Sequence, residues 1–205
     1  MQPRVRTAVL FSGRGSNLQA LIDASRASDY PAEIVLAISN VESAEGLARA
    51  GDAGVPTKVI SHKDFASREA FDAAIDEALR QAEVSLVCEA GFMRIHSEWF
   101  VKRWEGRLLN IHPSLLPTFP GIGVHRQALA AGVKISGCTV HFIVHALDSG
   151  PIVAQAAVPV LPDDTPETLA ARVLPEEHRI YPEALRLVAA GRVTLENGRI
   201  KFAVD

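Results

Sequence analysis

The sequence has few cysteines and no apolar stretch long enough to cross a membrane. Of its 205 residues only Cys88 and Cys138 are cysteine, and neither belongs to a Cys-x-x-Cys pair. A disulfide scaffold or cysteine-rich metal site is therefore not expected, and both thiols are predicted to be buried and inert in a reducing, cytoplasmic compartment. The apolar stretch over residues 7–11 is too short for a signal peptide or a membrane span, so we predict no membrane partner.

Excess positive charge and metal-binding patterns are absent as well. Lys and Arg number 21 against 24 Asp and Glu, which gives a net charge of -3 and no sign of a nucleic-acid partner. The seven histidines form no His-Glu-x-x-His or other zinc spacing, so we predict no metal. A hydrophobic content of 48% over this length suits a single domain, residues 1–205, with a sizeable core.

Hydrophobic patterning in the first half predicts strands that alternate with helices. Strands are expected over residues 5–11, 33–39, 57–60 and 84–90. Helices are expected over 17–27, 44–53, 67–81 and 99–104, the last two capped by Ser67 and Ser97. This alternation predicts an α/β fold with a mostly parallel, twisted sheet and helices on both faces.

The second half changes to a different pattern. A loop rich in proline and glycine leads to a short helix near 125–131. Strands over 137–144 and 152–160 are joined by a link too short for a helical crossover, so they are predicted to pair antiparallel. Thr165-Pro166 begins a helix predicted to reach residue 191, and Asn197-Gly198 predicts a hairpin of 192–196 with 199–203.

The most informative stretch is Asn110-Ile111-His112-Pro113-Ser114-Leu115-Leu116-Pro117. Alternate side chains share a face in a strand, so Asn110 and His112 point one way and Ile111 the other. An amide beside a titratable ring can stabilise an oxyanion and move a proton. The same pair could instead tie down the loop that follows, in which a cis Leu116-Pro117 bond is possible.

Residues 12–17, Ser-Gly-Arg-Gly-Ser-Asn, follow the first strand and open the first helix. Glycines let the backbone approach an anion, and free N–H groups at a helix N-terminus attract phosphate. The stretch lacks the third glycine of a dinucleotide fingerprint and the Gly-Lys-Ser/Thr of a Walker motif. A tight turn capped by Ser16 or Asn17, with no ligand, is an equally open interpretation.

Four other polar residues are ambiguous in isolation. Asp148, in Asp-Ser-Gly, is either a turn former or a carboxylate that orients a histidine. Glu89 interrupts an apolar strand and needs a partner. His141 lies within a strand and is predicted to be a structural histidine, and Glu177 fits a solvated charge on a helix.

Six segments, taken in order, resemble the phosphoribosylglycinamide formyltransferases. They are Gly-x-Gly-Ser-Asn at 13–17, Gly-Phe-Met-Arg at 91–94, the stretch at 110–117, Cys-Thr-Val-His-Phe at 138–142, Leu-Asp-x-Gly-Pro at 147–151 and Glu-His-x-Ile-Tyr-Pro at 177–182. The resemblance covers nearly the whole chain. It implies a single-domain formyltransferase fold, with a nucleotide- and phosphate-binding half at 1–110 and a folate-binding and catalytic-loop half at 111–205.

The resemblance also implies a reaction. The formyl group of 10-formyltetrahydrofolate, a cosubstrate, would pass to the amine of glycinamide ribonucleotide through a tetrahedral intermediate, in purine biosynthesis. No metal would take part. The expected partners are these two small molecules, without nucleic acid or membrane, and the expected state is a monomer or homodimer in the cytoplasm.

Site residues follow from the same resemblance. The catalytic set would be Asn110, His112 and Asp148. The nucleotide would be held by Gly15, Ser16 and Asn17 at its phosphate and by Glu177 at its ribose hydroxyls. The folate would be held by Arg68, Met93, Arg94, Ile95, His96, Asn110, Val144 and Ala146. Glu89 and His96 stand where the family generally has Leu.

Related formyl-handling families share the 110–117 stretch. Methionyl-tRNA formyltransferase generally adds a carboxyl-terminal domain and a basic surface, and formyltetrahydrofolate hydrolase adds an amino-terminal regulatory domain. The net charge of -3, the last residue Asp205 and a first strand near Val5 lead us to expect neither. A non-catalytic phosphate- or folate-binding domain would not need the three catalytic residues together, and a nicotinamide oxidoreductase is disfavoured by the missing glycine.

Overall fold

A sheet of seven strands forms the centre of the computed structural model, which describes residues 3–203. Residues 1–2 and 204–205 of the predicted domain lie outside the described part. The strands are β1 (Val5–Phe11), β2 (Ala32–Ser39), β3 (Thr57–Val59), β4 (Leu86–Glu89), β5 (Leu108–His112), β6 (Ile135–Phe142) and β7 (Ile152–Pro159). Their spatial order is β3-β2-β1-β4-β5-β6-β7. β1 to β5 pair in parallel, and β6 and β7 add antiparallel, which confirms the predicted α/β class.

Six α-helices and a short hairpin complete the described residues. They are α1 (Ser16–Ser25), α2 (Gly46–Asp52), α3 (Arg68–Gln81), α4 (Glu98–Arg103), α5 (Val124–Ala130) and α6 (Pro166–Ala189), followed by β8 (Val193–Glu196) and β9 (Arg199–Phe202). The predicted caps form: Ser67 accepts from the Ala70 N–H and Ser97 from the Phe100 N–H. Within residues 3–203, no helix combines the length and apolarity that a membrane crossing requires.

Several predicted boundaries were one or two residues too wide, for local reasons. The N–H groups of Arg26 and Ala27 bond three residues back, so the first helix ends at Ser25 and not at residue 27. The Val84 N–H closes the preceding helix on the Leu79 carbonyl, so β4 starts only at Leu86. Element type was predicted correctly at these positions even though the ends were not.

Helices cover both faces of the sheet, as predicted. On one face, α1 and α6 pack on a cluster that includes Phe11, Phe142 and Tyr181. On the other face, α3 packs Phe71 and Ile75 against the sheet beside α4. Each large side chain buried in this way contributes roughly 1.5–3 kcal/mol.

Both cysteines lie in this core, as the sequence predicts. Cys88 and Cys138 are free thiols with no exposed surface. Burial raises the pKa of each thiol to about 12, so neither is a thiolate at neutral pH.

The strand order places the site. β2 lies on one side of β1 and β4 on the other, so the chain reverses direction across the sheet at β1. In open α/β sheets a crevice forms at such a point, outside the carboxyl ends of the strands. The loops that follow β1, β4 and β5 all begin at this edge.

Candidate active site

The turn after β1 forms an anion-binding geometry. Gly15 precedes α1 with φ 73°, and a Cβ there would lie 2.6 Å from the Gly46 Cα, so the close approach of the two backbones requires glycine. No side chain caps α1, which leaves its first N–H groups available to a ligand. Residues 12–17 line a cleft of about 640 Å³, here named the β1 cleft.

Glu177 lies in the same cleft and is not a solvated helix charge. Its side chain is buried on α6, and Oε2 accepts a hydrogen bond from Asn17 Nδ2 at 2.6 Å. Burial raises the pKa of the carboxyl, while the bond from Asn17 and the charge of Arg14 oppose that rise. Packing of α6 on α1 thus joins the carboxylate to the Gly15 turn across 160 residues of sequence.

The carboxyl end of β5 brings Asn110 and His112 beside Asp148. His112 Nδ1 lies 3.6 Å from Asp148 Oδ2, and His112 Nε2 donates to the Phe119 carbonyl at 3.0 Å. Both edges of the ring therefore face oxygen atoms. His112 also fastens the proline-rich loop through Phe119, so the two interpretations of the pair are compatible.

The loop after β6 holds Asp148 in place. Its Oδ2 accepts the Gly121 N–H at 2.7 Å, and its backbone has φ 48°, a conformation that Asp tolerates better than most residues. Two residues later, a Cβ on Gly150 would lie 1.7 Å from the Phe142 carbonyl oxygen. Only glycine permits this approach, which turns the loop back toward β5.

The structure adds His141 to the site, a residue that the sequence predicts to be a structural histidine. It pairs with Asn110 across β5 and β6, and its Nε2 lies 3.2 Å from Asn110 Nδ2. Its Nδ1–H donates to the Phe142 carbonyl, and burial lowers the pKa of the ring, so Nε2 is an acceptor at neutral pH. His141 therefore fixes the orientation of the Asn110 amide. Strand register is the signal that would have found it.

A second cavity, here named the β4–β6 cavity, opens beside Asn110 and Asp148. Of the predicted folate residues it is lined by Arg94, Ile95, His96, Asn110, Val144 and Ala146. Met93 lies instead on the β1 cleft, and Arg68, exposed at the start of α3, lines neither. Asn110 and Asp148 border this cavity, while Pro113, adjoining His112, borders the β1 cleft. The three residues predicted to be catalytic therefore lie between the two cavities.

A buried network of Asp72, His96 and Glu89 lies against the β4–β6 cavity, and its histidine is the partner that Glu89 requires. His96 Nδ1 lies 2.7 Å from Asp72 Oδ1, and His96 Nε2 lies 2.7 Å from Glu89 Oε1. The ring stacks on Phe92 and Phe100. Both ring nitrogens of His96 are thus occupied, so any contact of this residue with a ligand comes from its backbone.

Charge within this network follows from its geometry. Burial lowers the pKa of His96, but attraction to Glu89 and the hydrogen bonds to Asp72 and Glu89 outweigh it and raise that pKa to about 9. Burial raises the pKa of Glu89, and attraction to His96 opposes that rise. With a carboxylate at each nitrogen, the ring is held as an imidazolium.

The network predicts a fall in stability at alkaline pH. The pKa of His96 is raised above its ordinary value of 6.5, so its contribution is complete below pH 6.5 and is lost as the pH rises through about 9. We expect the free energy of unfolding to fall by roughly 3 kcal/mol across this window. Urea unfolding at several pH values measures it. Equal stability at both ends would contradict a charged His96.

Within residues 3–203, no group of three or more His, Cys, Asp or Glu side chains could hold a metal ion. The site offers hydrogen-bond donors, the imidazoles of His112 and His141, and carboxylates, placed between two cavities. This equipment suits addition of a nucleophile to a carbonyl group and protonation of the product.

Comparison with known proteins defines the class. A family model described as Formyl transferase matches residues 5–185. The solved structure of glycinamide ribonucleotide transformylase 1 from Symbiobacterium toebii superposes with a TM-score of 0.96 at 48% identity, over 100% of this chain and 96% of that one. The fold is that of the formyl transferase family.

Curated relatives narrow the class further. Trifunctional purine biosynthetic protein adenosine-3 of Bos taurus is 55% identical over 207 residues. The chain spans only 20% of the length of this relative, and 20% of the length of the Gallus gallus protein of the same name. Phosphoribosylglycinamide formyltransferase of Haemophilus influenzae is 42% identical over 94% of this chain and 91% of its own length. The chain belongs to the formyl transferase family, among the phosphoribosylglycinamide formyltransferases.

Proposed function

We propose that this protein transfers the formyl group of 10-formyltetrahydrofolate to the amine of glycinamide ribonucleotide in purine biosynthesis. The observation that carries the proposal is the position of Asn110, His112 and Asp148 between an anion-binding cleft and a second cavity. The relatives' names supply the nucleotide substrate and the formyl transfer, the family resemblance supplies the folate, and the two cavities offer room for each.

The nucleotide is proposed to occupy the β1 cleft. Its phosphate would accept hydrogen bonds from Gly15, Ser16 and Asn17 at the start of α1, and its ribose hydroxyls would donate to Glu177. The folate is proposed to occupy the β4–β6 cavity. Each substrate would then contact both halves of the domain. Residues 1–110 contain the phosphate turn, and residues 111–205 contain the catalytic loop.

The chemistry needs no covalent enzyme intermediate. The amine nitrogen attacks the formyl carbon, a C–N bond forms, and the formyl oxygen becomes negative. Asn110 Nδ2–H, oriented by His141, and protonated His112 stabilise that oxygen, while Asp148 favours the imidazolium. The bond to the folate nitrogen then breaks, and the proton lost by the amine passes to that nitrogen. Holding both substrates in adjoining cavities supplies the orientation.

An absorbance assay tests the function directly. Purified protein is given 10-formyltetrahydrofolate with glycinamide ribonucleotide, and in parallel with water as the sole acceptor. Loss of the formyl group is expected with the nucleotide present and not with water alone. Equal loss in both would identify a hydrolase, and binding without any loss would identify a non-catalytic domain.

The phosphate placement predicts a selective loss of nucleotide affinity. Ser16→Ala and Asn17→Ala remove side-chain donors at the start of α1, and each is expected to raise the KM for glycinamide ribonucleotide by about tenfold without changing the KM for folate. Steady-state kinetics with each substrate varied measures both. Gln19→Ala is the matched control, because Gln19 bonds Asp23 one turn further along. Equal weakening of both substrates would contradict the placement.

The setting of the reaction is part of the proposal. Two buried, unpaired thiols suit a reducing compartment, so we place the protein in the cytoplasm. We propose a monomer or a homodimer, with the two small substrates as partners and no nucleic acid or membrane. Sedimentation velocity of the purified chain distinguishes the two assemblies.

A further inference from the structure

Three neighbouring strands place polar side chains side by side on the wall of the β4–β6 cavity. Glu89 on β4 pairs in register with Asn110 on β5, and Asn110 pairs with His141 on β6. All three line the cavity. Asn110 and His141 have a use in the reaction proposed above, whereas Glu89 has none.

The Glu89 carboxylate is held rigidly. Its Oε1 bonds His96 Nε2, and His96 Nδ1 bonds Asp72 at the opposite edge of the ring. Asp72 is itself fully buried and accepts the Ser97 N–H. Stacking of the imidazole 4.2 Å from Phe100 removes its remaining freedom. A carboxylate fixed in this way can accept a hydrogen bond only from a ligand donor at one defined position.

The second oxygen of this carboxylate lacks a partner. Within residues 3–203, Glu89 Oε2 makes no hydrogen bond, and the side chain, 7% exposed, borders the cavity. The oxygen keeps some contact with the solvent of the cavity, so an occupant that displaces this solvent must supply a donor or leave the carboxylate unsatisfied. A ligand with an N–H group at this position can donate a hydrogen bond to Oε2. A ligand with a carbonyl oxygen there would be repelled by the carboxylate.

We propose that Glu89 is a binding residue for the pterin ring of the folate, with Oε2 accepting a hydrogen bond from one of its N–H groups. The inference rests on the proposed function and names a contact within it. A reduced pterin carries several N–H donors, on the ring and on its exocyclic amine. His96 and Asp72 act as positioning residues, because they touch the carboxylate and not the ligand.

The test combines direct binding with kinetics. Glu89→Gln keeps the side-chain size and places an amide N–H where an acceptor stood. It is expected to weaken tetrahydrofolate binding by about tenfold or more, the loss typical of a hydrogen bond to a charged group. The KM for folate should rise by the same factor, with kcat and the KM for glycinamide ribonucleotide within about twofold. Glu98→Gln, an exposed carboxylate in the first turn of α4, is the matched control.

A second variant covers the case in which Glu89→Gln does not fold. Glu89→Leu with His96→Leu replaces the buried pair by apolar side chains, and Asp72 keeps its bond to Ser97. This variant is expected to fold and to bind tetrahydrofolate more weakly than the wild type. Wild-type affinity in either folded variant would overturn the inference and leave the network a packing role.

The two proposals fail in different ways. A wild-type protein that binds tetrahydrofolate without transferring a formyl group contradicts the proposed function alone. A wild-type protein that transfers the group, with Glu89→Gln unchanged in folate affinity, contradicts the Glu89 contact alone. A wild-type protein that binds no tetrahydrofolate contradicts both.

Discussion

Replacing His112 by alanine is expected to lower kcat by about a thousandfold, the loss typical of removing an oxyanion donor that also assists proton transfer. The ring lies 3.6 Å from Asp148 and is buried beside Asn110 at the end of β5. It belongs to neither the phosphate turn nor the residues around Glu177. The Kd for glycinamide ribonucleotide should therefore stay within about twofold.

Two companion variants separate chemistry from folding. His112 also donates to the Phe119 carbonyl, so its loss could loosen the proline-rich loop. His112→Gln offers the loop an amide donor but carries no charge, and it is expected to fold like the wild type and remain slow. Asp148→Asn keeps the shape and removes the charge that favours the imidazolium, so a severe loss of kcat is expected there too. Full turnover in any of these variants would remove the catalytic assignment.

Local patterns were sufficient to predict most of the fold. Alternation of strand and helix signals, together with Ser67, Ser97 and Thr165 as caps, gave the element types because periodicity and capping depend on residues close in sequence. The short link after β6 likewise forced an antiparallel return in β7. The Asn110 and His112 side chains share a face for the same local reason.

Contacts between strands could not be predicted in this way. Whether Glu89 adjoins Asn110, and Asn110 adjoins His141, depends on the register of three strands, which a single sequence does not specify. From the sequence, Glu177 resembles a solvated charge, because the pattern of α6 alone does not reveal that this helix packs on α1. Glu89 and His96 both depart from the family pattern. The structure explains the two departures together, because the two side chains are hydrogen-bonded to each other.

The pairing of these departures predicts a large and asymmetric effect on stability. His96→Leu leaves Asp72 and Glu89 buried with no cation between them, and removing one partner of a buried ion pair costs about 3–5 kcal/mol. Adding Glu89→Leu removes one of the two stranded charges, while Asp72 keeps the hydrogen bond from the Ser97 N–H. The double variant is therefore expected to recover the part of the loss that comes from Glu89.

Urea unfolding of the wild type, the two single variants and the double variant measures this coupling as a thermodynamic cycle. A coupling of at least about 2 kcal/mol is expected, because His96→Leu strands the Glu89 carboxylate and the double change does not. Additive losses would show that Glu89 and His96 do not depend on each other. The cavity would then need another explanation for a carboxyl group on its wall, since attraction to His96 is what opposes the rise that burial and the nearby Asp148 cause in the pKa of Glu89.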